Sequence, residues 1–361
     1  MEYLQHITRP LRFPASPSAQ PIEFYINLKS YALTVIGPQF AFLPDVYEFS
    51  RKEPAMPFQT TIKSPLEFTG IGLHSGIATT VRLRPASAGT GIVFHRTDLD
   101  PAVSIEALWE NVVNTRLSTT IGKHGATIAT IEHLMAALRG CNIDNVHIDI
   151  SGPEVPIMDG SACGFVEGLS KCGVSFLTTP RKYIVVRKPI SIADGDKKIS
   201  IIPSRYFRVS FDMRFNHPCI SDQFKSTKCT EESFRNDISA ARTFGFLAEV
   251  EMLKANGLAQ GGSLDNAVVI AADRILNEEG LRYEDEFVRH KILDTIGDFY
   301  LAGYQIIGHV KAFKSGHDLN HRMVSELLSK KEYWELSESS SFRPQLNPFP
   351  LQLPEFAWSE A

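Results

Sequence analysis

No two cysteines in this chain are spaced as CxxC, and the five that occur (Cys141, Cys163, Cys172, Cys219 and Cys229) are scattered and odd in number. That pattern argues against a thiolate zinc site or a disulfide framework and predicts a reducing compartment. Long apolar runs are missing too: none reaches the ~18 residues that a membrane span needs. The opening MEYLQHITRPLRFPASPSAQ lacks the continuous apolar centre of a secretory signal. Its arginines, serines and single acid give it a faint likeness to an organellar transit peptide, so the expected location is cytoplasmic, with an organelle as the alternative. Charge of one sign is absent as well. A formal net charge of −4 over 361 residues is too little to gather nucleic acid by bulk electrostatics. The Gly-rich stretch GIGLHSG at 70–76 is not followed by GK[ST], which argues against a P-loop.

What is present is apolar material, 43% of residues, enough to fill the cores of two ordinary domains. Residues 1–55 show no sustained periodicity and read as a poorly ordered extension, or as sequence upstream of the true start. Regular pattern begins after Met56. IATTVRLRP alternates like a half-buried strand, and TIEHLMAALRG reads as a helix with Thr130 as N-cap and Gly140 as stop. NVHIDI returns to period two, and SACGFVEGLSKCG reads as a second helix. Strand signals recur at 183–187, 199–202 and 207–215. Helices follow near TEESFRNDI, at LAEVEMLKANG, over 286–302 and at LNHRMVSELLS. Strands followed by helices, twice over, predict an α+β protein with two domains, 56–180 and 181–331. From Glu332 to the end the chain is Pro/Ser-rich without period and is expected to be a disordered tail.

The chemistry is concentrated in FVRHKILDTIGDFYLAG, residues 287–303. On a helix, His290, Asp294 and Asp298 fall at four-residue steps and share one face. Such a face is commonly just a solvated acidic surface, so partners must come from elsewhere. Most of the eleven histidines sit in loops, on exposed positions or in strands where packing accounts for them. His133 differs, because Glu132 precedes it in the first turn of a helix. With His290 and Asp294 it completes two imidazoles and a carboxylate, the plan of a catalytic zinc centre with an open position. A metal there polarises a carbonyl and acidifies water, and the nearby Glu132 takes the proton. The same donor set could also be the facial triad of a non-haem iron oxygenase, although that triad usually has its first two ligands two apart on a strand. SGPEVPIMDGSA, in contrast, reads as turn chemistry, with Asp159 a structural carboxylate.

At this level of detail the chain resembles the UDP-3-O-acyl-N-acetylglucosamine deacetylase family of lipid A biosynthesis. The carriers are GIGLHSG (70–76), TIEHLMAAL (130–138), NIDNVHIDISGPEVPIMDGSA (142–162), ARTFGF (241–246), GLAQGGSLDNAVV (257–269), RHKILDTIGD (289–298) and KSGH (314–317). They occur in the right order from about Met56 to Leu328. The resemblance implies two domains of similar architecture, each a sheet with helices, the helices sandwiched between the two sheets. It implies one Zn2+ per chain, with Fe2+ as an alternative, held by His133, His290 and Asp294. Glu132 is implied as general base, His317 as a cationic partner oriented by Asp298, and Thr243 as a donor to the developing oxyanion. Lys291 and Lys314 are expected to meet the pyrophosphate of a UDP-linked acylated amino sugar. An insert at 243–268 would line an acyl passage, with Leu73 and Phe244 beside it. The expected state is a monomer without nucleic-acid partners. A non-catalytic acyl-sugar binding protein is the remaining rival, disfavoured because every catalytic candidate is present.

Overall fold

The computed structural model describes residues 24–27, 32–35, 58–215 and 217–338. Within the first unit, Met1–Ala55, the strands Phe24–Asn27 and Ala32–Val35 pair antiparallel as a hairpin, a local order that the sequence pattern did not suggest. The rest of the expectation for residues 1–55 lies outside the described residues. The second unit, Met56–Ala361, carries everything that follows.

Its first half is built on a five-stranded sheet in the order Leu66–Ile71, Ala78–Pro85, Val146–Ile150, Ile92–Arg96, Val103–Glu106. Val81, Leu83, Phe94, Ile105, Ile148 and Ile150 alternate inward and are fully buried, as a sheet with one wet face requires. The strand Val174–Pro180 returns to pair with Phe58–Ile62, and Lys182–Val186 then opens a seven-stranded sheet. Arg181, between them, is 2% exposed and bonds Asp144 Oδ2 at 2.7 Å and the Asn142 carbonyl at 2.9 Å. The long strand Gln305–Phe313 is the hub of the second sheet, pairing with Lys182–Val186, Lys197–Ile202 and Phe207–Met213. The fold is mixed α+β, with sheets and helices in both halves. Among the described residues no helix is long and apolar enough to cross a membrane.

The helices are α1 (Glu132–Gly140), α2 (Cys163–Cys172), α3 (Glu231–Ser233, continued by a π-helical turn Phe234–Ile238), α4 (Leu247–Ala255), α5 (Glu286–Tyr300) and α6 (His317–Ser329). Helix α1 is buried on every face, and α5 is buried except at Arg289 and Lys291. They pack against each other at Gly297. A Cβ there would lie 2.1 Å from the Glu132 carbonyl oxygen, so only glycine lets the two backbones meet. One hydrophobic core, running from Ile62 to Leu327, spans both halves.

Three local expectations are corrected. Thr130 is not the N-cap of α1; Ile131 is. Thr130 instead takes φ +58° and donates its hydroxyl to Glu154. Gly140 is the last residue of the helix rather than its stop, and its missing Cβ makes room for the Phe234 ring. The third concerns the expected tail. Trp334–Glu338 forms an edge strand, antiparallel to Lys182–Val186 along its whole length. Backbone pairing, which needs no apolar periodicity, overrides the composition there. Residues 339–361 lie outside the described residues.

Candidate active site

The close approach at Gly297 sets the first turn of α1 against the middle of α5. Glu132 and His133 enter from α1; His290, Lys291, Asp294 and Asp298 from α5; His317 starts α6. Carboxylates and imidazoles at the start of one helix thereby meet others of a second, although the chain separation is large. All are buried or nearly so, with Glu132, His133, His290, Asp294 and Asp298 no more than 4% exposed.

His133, His290 and Asp294 offer ligand atoms that all lie within 4.8 Å of one another. Asp294 Oδ1 faces His290 Nε2 at 3.3 Å and His133 Nε2 at 3.6 Å, yet it has no hydrogen-bond partner. The tautomer of His290 explains why. Its Nδ1 lies 3.0 Å from the Ala241 carbonyl, which only accepts, so Nδ1 carries the hydrogen. Burial pushes the imidazole down to about 3, so Nε2 is a bare lone pair aimed at a carboxylate oxygen. Two acceptors converging in a dry site are unfavourable unless a cation lies between them. The three side chains therefore fit a metal, and the carbonyl that fixes His290 is the support that metal-binding histidines normally have. Burial opposes ionisation of Asp294, but its charged surroundings, with the Lys291 amine 2.8 Å from Oδ2, hold its carboxyl well below the usual range.

Beside this trio is an acid–base pair. Glu132 Oε2 accepts from the backbone N–H of Thr119 at 3.0 Å, and Oε1 lies 3.8 Å from His317 Nε2. Burial raises the Glu132 carboxyl, with His317 and His133 opposing. His317 donates from Nδ1 to Asp298 Oδ2 at 2.9 Å. Burial works against its charge, but Asp298 and Glu132 win and raise the imidazolium to about 9. Asp298 is itself held by Asn320 Nδ2 at 2.9 Å and by the Thr119 hydroxyl at 2.6 Å. The arrangement can thus offer a base and a cationic acid side by side, next to a cation site.

The other anticipated residues stand as follows. Thr243 lies two residues beyond Ala241, and its hydroxyl bonds no described residue. Phe244 packs its ring 6.3 Å from that of His290 and 4.9 Å from that of Phe287. Lys291 is not free: its amine bonds Asp294 Oδ2 at 2.8 Å and lies over Phe244. Lys314 is also engaged, 2.6 Å from Asp196 Oδ2. Leu73 reaches the insert, accepting at its carbonyl from the Gly261 N–H at 3.0 Å. Asp159 bonds Ser161 and Arg282, as a structural carboxylate would. Thr119 and Asn320 were not anticipated. A backbone N–H leaves no mark in a sequence, and a buried Thr or Asn resembles any other. His74, within GIGLHSG, has a partly buried ring that burial pushes down and that feels the charges of Glu154 and His317.

The sequence model of one protein family, LpxC: UDP-3-O-acyl N-acetylglycosamine deacetylase, matches residues 59–329. The chain belongs to this deacetylase family. A UDP-3-O-acyl-N-acetylglucosamine deacetylase of Geotalea uraniireducens is 62% identical over 306 residues, covering 85% of this chain and 100% of the relative. Those of Myxococcus xanthus and Shewanella violacea are 50% and 48% identical, covering 78% of this chain and 90% and 93% of the relatives. Every site residue discussed above lies inside the span that matches the deacetylase family, and residues 1–55 lie outside it.

Proposed function

We propose that the chain hydrolyses the acetamide of a UDP-3-O-(3-hydroxyacyl)-N-acetylglucosamine, giving acetate and the free 2-amino sugar nucleotide with its acyl chain intact, an early step of lipid A biosynthesis. The observation that carries this reading is the orphaned Asp294 Oδ1 between two imidazole nitrogens, with Glu132 and His317 beside it. A metal on these donors, zinc by their chemistry and iron(II) as the alternative, would supply Lewis acidity toward the acetamide carbonyl and toward water.

The side chains divide the remaining work. Glu132 takes the proton of the attacking water, aided by burial that raises its carboxyl. His317, cationic to about pH 9, and the Thr243 hydroxyl, which bonds no described residue, stabilise the oxygen on which negative charge develops. The proton held on Glu132, or that of His317, then goes to the departing amine as the C–N bond breaks. Asp298 holds His317 in orientation and in charge. Lys291 is ion-paired to a carboxylate whose charge a cation would share, which frees the amine for an anionic group such as a pyrophosphate. Lys314 is the second candidate for that contact. The insert at 243–268 supplies the Phe244 ring beside the His290 ring and carries α4, the apolar chemistry that an acyl chain needs.

Each buried methylene is worth ~0.8 kcal/mol, so even six could favour an acylated substrate by up to ~5 kcal/mol before ordering costs. The test compares the acylated substrate with UDP-N-acetylglucosamine on the metal-loaded chain. A preference of at least about a hundredfold in kcat/KM is expected. Equal values would remove the acyl-sugar assignment even if the hydrolytic chemistry survived.

A further inference from the structure

We infer that Glu154 is a positioning residue for the acyl-bearing substrate: its carboxylate fixes the loop Gly72–Gly76 where Leu73 meets the insert of the second half. This rests on the substrate reading above. It also gives a task to SGPEVPIMDGSA, a motif whose residues otherwise have only turn chemistry.

Glu154 is 1% exposed and has no cationic partner among the described residues within ion-pair distance. A buried carboxylate must be satisfied by donors, and three groups supply them. Two are backbone N–H groups of the loop, His74 to Oε1 at 2.9 Å and Ser75 to Oε2 at 2.7 Å. The third is the Thr130 hydroxyl, to Oε1 at 2.8 Å, from the residue that enters α1 with φ +58°. The charge is therefore spent on holding a loop to the approach of the catalytic helix. The fit is close, because a Cβ on Gly72 would lie 2.4 Å from Glu154 Oε2.

The opposite side of the loop is clasped by the insert. Gly261 donates to the Leu73 carbonyl at 3.0 Å, and Gln260 to that of His74 at 3.2 Å. A Cβ on Gly261 would lie 2.2 Å from the Gly72 carbonyl oxygen, and one on Gly262 would touch Leu73 Cδ1 at 3.6 Å. The loop is thus gripped between Glu154 and the insert, with the Leu73 side chain set beside Gly262. None of Glu154's bonds reaches His133, His290 or Asp294. Loosening the grip should consequently affect how an acyl chain is held rather than how the amide is cut.

Glu154→Gln keeps the shape but replaces one accepting oxygen with an amide nitrogen, so one donor is left unmatched. Gly261→Ala disturbs the other side of the same loop from a half-exposed position, and serves if the first variant folds poorly. Both variants and the wild type, metal-loaded, are assayed on a long-acyl substrate and on UDP-N-acetylglucosamine. For the long-acyl substrate kcat/KM should fall about tenfold or more, chiefly through KM, while the unacylated substrate changes less than about threefold. Metal content should be unchanged. If kcat falls equally on both substrates, Glu154 acts through Thr130 and α1, and the inference is overturned while the substrate reading stands. A wild type that does not distinguish the two substrates overturns the substrate reading, and this inference with it.

Discussion

Asp298→Asn isolates the charge that keeps His317 protonated. The substitution preserves size, and an amide oxygen can still accept from His317 Nδ1, so the ring should keep its orientation. What disappears is a unit negative charge 2.9 Å away. At an effective dielectric near 20 that attraction is about 6 kcal/mol, and half of it, allowing for the retained hydrogen bond, is about two pH units. His317, now raised to about 9, should then titrate near pH 7. If its imidazolium stabilises the oxyanion, the alkaline limb of kcat falls by the same amount. At pH 8 the protonated fraction drops from about 0.9 to about 0.1, a loss of about tenfold, while at pH 6 the loss is under about twofold. The stability linkage has the same sign. A group whose folded value exceeds its unfolded one stabilises fully below the unfolded value of 6.5, and this contribution fades as pH rises through about 9. Initial rates across pH 5.5–10, with metal content checked in parallel, make the measurement. An alkaline limb still near pH 9 in the variant would refute the cationic role of His317.

The other expected outcomes are more direct. Asp294→Ala and His290→Ala should each release the one metal ion expected per chain, and stoichiometric metal retained in both would contradict the ligand set. Glu132→Ala should keep the metal and lower turnover by about 10²–10⁴; an unaffected rate would move the base elsewhere. Glu286 is fully buried and accepts from the Arg242 N–H and Nε at 3.0 and 2.9 Å. Glu286→Gln leaves that guanidinium with Glu279, a largely exposed carboxylate, as its charge partner, and denaturant titration should find about 1.5–3 kcal/mol lost. A chain cut to Met56–Lys331 retains every motif, but it loses the Trp334–Glu338 strand and bares the edge of Lys182–Val186. It should melt about 5–10 °C below one ending at Glu338, and equal melting would deny the strand a structural role.

Some of this protein was readable without coordinates because the information is local. His290, Asp294 and Asp298 share a face of α5 by helical repeat alone, and alternation in stretches such as ATTVRLRP marks strands whatever they pack against. Glu132 and His133 are neighbours by sequence, so their joint service at one site needed only a helix beneath them. Long motifs in a fixed order carried the family resemblance, and with it His317, Thr243 and the two lysines. Tertiary structure decided the rest. The meeting of α1 with α5 depends on a missing Cβ at Gly297, and one glycine in a helical pattern does not announce its partner. Thr119 serves Glu132 through a backbone N–H and Asp298 through a hydroxyl, and neither has a periodicity to detect. Lys291 looked like a free cation until the fold set Asp294 against its amine. Glu154 looked like a turn residue until the loop Gly72–Gly76 folded over it. The strand Trp334–Glu338 was hidden by its Ser- and Glu-rich composition, since its register comes from the open edge of Lys182–Val186. Helical and strand periods are set by bonds between near neighbours and are written in the chain, whereas hydrogen bonds and close approaches between distant residues exist only once folding has brought them together.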